Sequence, residues 1–174
     1  MNPVKIDLVW LMHVQKPARY IGGEWNSIVK NHDSVDVKVA LAFPDVYEVA
    51  MSHLGLKIIY SVINSKSYAL AERVYAPWID MEKMMRERGI PLFSLENKCP
   101  IHDFDVLGFT IPYEMSYTNV LNMIDLAKIP VLSKDRSDND PIVISGGPCV
   151  YNAEPMCDFI DAVSYTHLTL PTIR

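Results

Sequence analysis

Val35-Asp36-Val37-Lys38-Val39-Ala40-Leu41-Ala42-Phe43, followed at once by Pro44-Asp45, is the stretch that decides the fold. Its odd positions carry large apolar side chains and its even positions Asp, Lys and two Ala, so an extended chain here gathers five large side chains on one face of a strand. Pro44 and Asp45 end the run. The next segment sets Met51, Leu54, Ile58, Ile59 and Val62 at spacings of three and four, which predicts a helix laid over the sheet.

Toward the carboxyl end the same alternation of element types continues. A short strand is expected around Arg73–Tyr75, then a helix from Ile79 to Arg88 with Pro77 and Asp80 at its start and Gly89 as its stop. Ile90–Leu95 has the pattern of another short strand. Asp105–Ile111 is nearly continuous in apolar residues, as a strand covered on both faces would be, and is expected to be central. Ser116 or Thr118 can cap a helix whose stripe is Val120, Met123, Ile124 and Ala127, with Pro130 ending it. A polar loop, Ser133–Asp140, precedes a last buried strand, Pro141–Ile144, which Ser145-Gly146-Gly147-Pro148 terminates. Strands alternating with helices require right-handed crossovers, and the expectation is a mainly parallel, Rossmann-like or flavodoxin-like three-layer α/β sandwich over residues 33–162. Residues 1–32 form a leader whose Lys16–Glu24 stretch mixes aromatics and charges and is expected to be ordered.

Composition narrows the function classes. The 174 residues are 49% hydrophobic, enough for one substantial core. The net charge of -5 argues against a general binder of nucleic-acid backbones, which needs clustered Lys and Arg. Cys99, Cys149 and Cys157 are too few and too scattered for a disulfide framework, which points to reduced thiols and a cytoplasmic protein. Asp7 and His13 interrupt the first apolar run, and no later segment has the length of a membrane span.

In an open parallel sheet, ligands bind at the carboxyl ends of the strands, next to the point where strand order reverses. The candidate loops are Phe43–Glu48, Pro112–Tyr117 and Ser145–Pro148. Gly146 and Gly147 either let a ligand approach the backbone or simply make a tight turn. Asp45 either orders its own loop or touches the ligand, and His53 either caps the following helix or ligates a metal. Neither G-x-G-x-x-G nor G-x-x-x-x-G-K-[ST] occurs, so the common dinucleotide and P-loop cradles are absent. Cys99 and His102 have a C-x-x-H spacing without a second pair, which does not make a zinc site. Glu114 is a lone carboxylate with no catalytic neighbour in the pattern.

Four stretches in order, Lys16–Glu24, Ala42-Phe43-Pro44-Asp45-Val46-Tyr47-Glu48, Met51-Ser52-His53-Leu54-Gly55-Leu56 and Ser116-Tyr117-Thr118-Asn119-Val120-Leu121-Asn122-Met123, resemble the start of a radical SAM family that carries a B12-binding-like domain ahead of its catalytic barrel. The resemblance implies a domain that holds cobalamin over the barrel. It assigns cofactor contacts to Pro44, Asp45, Leu54, Gly55, Thr110, Ser116, Ser145, Gly146, Gly147 and Pro148. Met51 stands where the D-x-H-x-x-G signature has Asp, and only Leu54 separates His53 from Gly55, so cobalamin is expected without His53 as a cobalt ligand.

The resemblance also implies a 4Fe–4S cluster and S-adenosylmethionine in a radical SAM domain that is the natural partner of this one. That cluster needs three thiolates spaced C-x-x-x-C-x-x-C, and the chain has no such spacing. Residues 163–174 resemble a translated sequencing adapter, so the expectation is a chain cut near Ala162, with a further strand and the catalytic domain missing. The alternative function is a free-standing flavodoxin-like ligand-binding or interaction module without catalysis.

Overall fold

The computed structural model of the chain describes residues 3–4 and 8–165. Five strands, β1 (Val37–Phe43), β2 (Ala69–Tyr75), β3 (Val106–Thr110), β4 (Ile142–Gly146) and β5 (Ala162–Val163), form one sheet in the order β2-β1-β3-β4-β5. All four pairings are parallel, so the mainly parallel sheet expected is wholly parallel and Asp105–Ile111 does supply its central strand. The helices are α1 (Leu8–Leu11), α2 (Ala18–Ile21), α3 (Tyr47–Ala50), α4 (Leu54–Asn64), α5 (Ile79–Arg88) and α6 (Tyr117–Leu126).

The alternation in β1 sorts side chains between two layers. Leu41 and Phe43 meet Leu56 and Tyr60 of α4 and Ala50 of α3 on one face. Ala40 and Ala42 face the other way, where their small size admits Met81 and Met85 of α5 beside Val120, Met123 and Ile124 of α6. The result is an α/β sandwich of Rossmann-like type with helices on both faces. Helix α5 runs over the residues its signals indicate: acidic Asp80 and Glu82 lie in the first turn, Arg86 and Arg88 in the last, and Gly89 closes it in the left-handed conformation at φ 66°.

Three sequence expectations need correction. The stripe Leu54, Ile58, Ile59, Val62 does not cover the sheet: it is exposed, and Met51 lies before the helix begins. The buried face of α4 is instead Leu56, Tyr60 and Asn64. Two polar residues reach that face because each finds partners there. Asn64 donates to Ala71 O and accepts from Ala71 N (3.0 and 3.1 Å), and the Tyr60 hydroxyl accepts from Ile28 N (2.7 Å). The second strand is longer than its apolar end, because Glu72 and Arg73 are buried inside it. Ile90–Leu95 is not a strand. It lies along the open edge of β2, where Leu95 N donates to Arg73 O (2.8 Å) and the Glu96 carboxylate accepts from Arg73 N (2.8 Å), and it bridges only at Phe93 and Pro100. A side chain thus covers an edge that another strand would otherwise pair with.

The leader is ordered by bonds to the body of the domain. Gln15 N donates to Asp80 (2.7 Å), Trp78 N donates to the Tyr20 hydroxyl (3.0 Å), and Lys16 and Arg19 pair with Glu48 (both 2.9 Å). Arg19 and Lys16 hold the Glu48 carboxyl down at about 2. Lys30 donates to the carbonyls of Asn64, Lys66 and Ala69 (2.9, 2.7 and 2.7 Å), closing the end of α4 with a cation where the helix dipole is negative. Lys30→Met is expected to cost about 1–2 kcal/mol in urea unfolding, because three carbonyls lose a charged donor at once.

At the other edge, Val163 pairs with Ser145 as part of β5, and Ser164 N donates to Ser145 O (2.7 Å). The stretch read as non-native begins at this strand, and its residues 166–174 lie outside the described residues.

Candidate functional site

The chain leaves β1 toward β2 on one side and returns to β3 on the other, so the reversal of strand order lies between the carboxyl ends of β1 and β3. The loops that follow those strands are tied together. Tyr113 Oη donates to Asp45 Oδ2 (2.8 Å) and Asn119 Nδ2 to Pro44 O (2.9 Å). The other oxygen of Asp45 accepts from Val46 N (2.7 Å), so Asp45 orders its own loop. Its bond to Tyr113 raises the phenol above the ordinary range, since ionising that phenol would set two anions side by side.

The other candidates fall at the same edge with their polar atoms turned inward. Ser116 is buried at the start of α6 and its Oγ donates to Tyr113 O (2.6 Å), so it does not cap the helix with its side chain. Thr110 is half-buried at the end of β3 and pairs with Gly146, while Ser145 is buried in β4. Gly147 has φ 100°, and a Cβ there would stand 2.7 Å from Ile111 O. Its missing side chain is therefore needed by the neighbouring backbone, and the tight turn is what the structure shows. Gly146 is less confined, for an added Cβ would only touch Ser164 O at 3.5 Å, and Pro148 is exposed beyond it. Leu54 and Gly55 open α4, with Leu54 exposed. His53 precedes them and its Nδ1 accepts from Leu56 N (3.2 Å) while its ring leans on Phe43 (4.9 Å between centroids), so it caps the helix.

What pattern reading missed is the apolar character of this edge. Val49 and Leu54 after β1, Trp78 and Ile79 after β2, Tyr113 and Met115 after β3 and Tyr151 after β4 are all exposed, Met115 at 86%. These residues lie in the loops and helix starts that follow four different strands and share no period, so only the common direction of the strands brings them to one end.

Also unread was a charged network beside β2. Arg73 Nε donates to Glu96 (2.7 Å), its Nη1 donates to Glu24, and its guanidinium lies 5.1 Å from the Tyr60 ring centre. Burial disfavours the cation, but Glu96 and Glu24 outweigh it and the Arg73 pKa moves upward. On the opposite face His32 Nε2 lies 2.5 Å from the buried Glu72, which also accepts from Asn97. The visible signal was Glu72-Arg73 within a strand, though its partners could not be named from it.

The three cysteines do not cluster. Cys99 is buried and desolvation pushes its thiol up to about 11, Cys149 is buried, and Cys157 is exposed. His102, the other half of the C-x-x-H pair, has Nδ1 2.9 Å from Ala127 O. Among the described residues no group of three His, Cys, Asp or Glu is placed to hold a metal ion, and the chain's thiols do not fit an iron–sulfur cluster. With Ellman's reagent, one thiol per chain is expected to react quickly and two only on unfolding. Cys157→Ser should remove the fast phase.

An all-parallel sheet in this strand order, helices on both faces and an open carboxyl edge at the reversal define a Rossmann-like domain with the strand order of the flavodoxin type. Residues 55–166, well over half of the chain, match the family described as "Radical SAM proteins, N-terminal", and the chain belongs to that family. A protein of Methanocaldococcus jannaschii described as uncharacterized is 25% identical over 126 residues, covering 71% of this chain and 22% of the relative. The chain thus spans about a fifth of that relative's length. No solved structure matches it. Among the described residues no helix is long and apolar enough to cross a membrane.

Proposed function

We propose that the chain is the non-catalytic amino-terminal domain of a cytoplasmic radical SAM enzyme, and that its carboxyl edge rests against the enzyme's own catalytic domain with cobalamin held between them. The observation that carries this reading is the apolar carboxyl edge of a domain whose family precedes radical SAM chemistry. The segments that follow four strands expose large apolar side chains at the one end where such folds bind ligands, which suits a broad macrocycle and a covering domain.

The residues fit a corrinoid lying on an apolar surface and do not fit one ligated by imidazole, since His53 is spent on its helix cap. Leu54, Tyr113 and Met115 would support the ring, and Gly146 offers backbone without a side chain. Pro44, Asp45, Thr110, Ser116, Ser145, Gly147 and Pro148 shape the edge from beneath or beside it. A corrinoid there would supply methyl-transfer or carbon-skeleton chemistry. The cluster and S-adenosylmethionine belong to the catalytic domain, and three free thiols accord with a reducing compartment.

Titrating the full chain with hydroxocobalamin is the test, followed by absorbance and by thermal melting. The expected result is a perturbed corrin spectrum and a rise in melting temperature, both retained in His53→Ala and weakened about tenfold in Met115→Asp. An unchanged spectrum and melt would remove the cofactor. If, in addition, the continuation of the reading frame lacked C-x-x-x-C-x-x-C, the chain would be an interaction module without catalysis.

A further inference from the structure

We propose that the outer face of α4, with Trp25 beside it, is a docking surface for a separate protein that presents an apolar helix flanked by Asp and Glu. This surface lies on the helical layer, apart from the carboxyl edge, and nothing in the reading above uses it.

The observations begin with exposure. Ile58 and Val62 stand one turn apart on the solvent side of α4, and Trp25, in the leader, is 93% exposed. Val29 and Ile59 are exposed as well. Covering helices of an α/β sandwich ordinarily turn polar side chains outward, and here the row of branched aliphatics faces water while the polar Tyr60 and Asn64 face the sheet. A cleft of about 740 Å³ runs between α4 and the leader, walled by Trp25, Ser27, Met51, Lys57 and Ser61 and by Glu24, whose charge is met there by Arg73. A ridge beside a cleft is the relief into which a second helix packs, and an exposed Trp at its wall is the residue type that most often anchors such contacts.

Charge names the occupant. From Val49 to Ala71 the chain has no Asp or Glu, although the whole sequence has 21 acidic residues against 16 basic. The same segment carries Lys57 and Lys66, both exposed. At about 100° per residue Lys57 falls on one flank of the Ile58–Val62 row, and Lys66 follows just past the carboxyl end of the helix. An apolar row with a cation on its flank, another past its end and no carboxylate on its own segment is complementary to an apolar helix bordered by carboxylates. A second copy would set Lys57 and Lys66 against the same lysines, and the net charge of -5 works against an anionic membrane surface.

The test uses the full chain and two synthetic amphipathic helical peptides with the same leucine row, one flanked by Glu and one by Lys, in titration calorimetry. The Glu-flanked peptide is expected to bind with a Kd on the order of micromolar, weakening as salt rises, and the Lys-flanked one not to bind. Trp25→Ala and Ile58→Ser, both on exposed side chains, should each weaken binding about tenfold or more without moving the melting temperature. Lys57→Glu with Lys66→Glu should reverse the preference between peptides. The proposal is overturned by equal affinity for the two peptides, by no binding at about millimolar concentration, or by a dimer in sedimentation that Ile58→Ser dissolves. Preferential uptake by phosphatidylglycerol vesicles would overturn it in favour of a membrane. If the parent enzyme with its catalytic domain does not bind the peptide while this chain does, the face is covered from within and the separate partner is excluded. None of these outcomes depends on hydroxocobalamin binding.

Discussion

Arg73→Met is expected to lower the free energy of unfolding by about 3–5 kcal/mol, read as a fall in the urea midpoint, although Met nearly preserves the volume. The loss comes from what stays behind. The Glu96 side chain is fully buried and that of Glu24 partly so, and each accepts from a guanidinium that would no longer be there. Attraction between exposed ions is worth little, but a buried carboxylate stripped of its cation keeps its desolvation cost without the compensation. Pairing the change with Glu96→Gln should therefore cost less than the sum of the two single changes, because the second removes the orphaned charge. Arg73→Lys is not expected to rescue: one ammonium cannot reach Glu96 and Glu24 as a fork while also covering the Tyr60 ring. A fall of less than about 1 kcal/mol for Arg73→Met would mean that the leader is held by its other contacts.

Gly147→Ala should be nearly as damaging, at about 3 kcal/mol, because a non-glycine residue must adopt φ 100° and its Cβ would press on the Ile111 carbonyl at 2.7 Å. That carbonyl is backbone of the loop after β3, which also bonds Cys149 N, so it has little freedom to retreat. Gly146→Ala is the internal control. Its Cβ would meet Ser164 O at an ordinary 3.5 Å and its φ is unexceptional, so a change within about 1 kcal/mol is expected. Two adjacent glycines thus separate by thermal melting into one the fold requires and one left available to a ligand.

How much of this was legible depends on where each residue's partners lie. Helix α5 could be delimited because its signals are local: acids at the start, arginines at the end and Gly89 in the one conformation that stops it. Strand β3 was placed centrally because a run buried on both faces needs no alternation. The buried face of α4 was not legible. Hydropathy assigns Ile58 and Val62 to the core, and the reason they lose is that Tyr60 and Asn64 satisfy Ile28 and Ala71, contacts invisible from the helix itself. The first half of β2 failed likewise, since Glu72 and Arg73 are tolerable in a sheet only through His32, Glu24 and Glu96. At the carboxyl edge the loops could be located from topology, but the direction of their polar groups was not legible: Asp45 is turned by Tyr113 of another loop, and Ser116 by the carbonyl of Tyr113 in its own.

The bonds that hold the leader also impose an order in time. Glu24 finds Arg73 49 residues later, His32 finds Glu72 40 later, and Gln15 finds Asp80 65 later. At a synthesis rate of about 5–20 residues per second, about 2–8 seconds separate His32 from Glu72 and longer intervals separate the other two pairs. During that interval Lys16 and Arg19 can already find Glu48, but Gln15, Glu24 and His32 lack their partners. The first segment made thus waits for β2 and the loop after α5, and nascent-chain proteolysis should find it open until Glu96 has emerged.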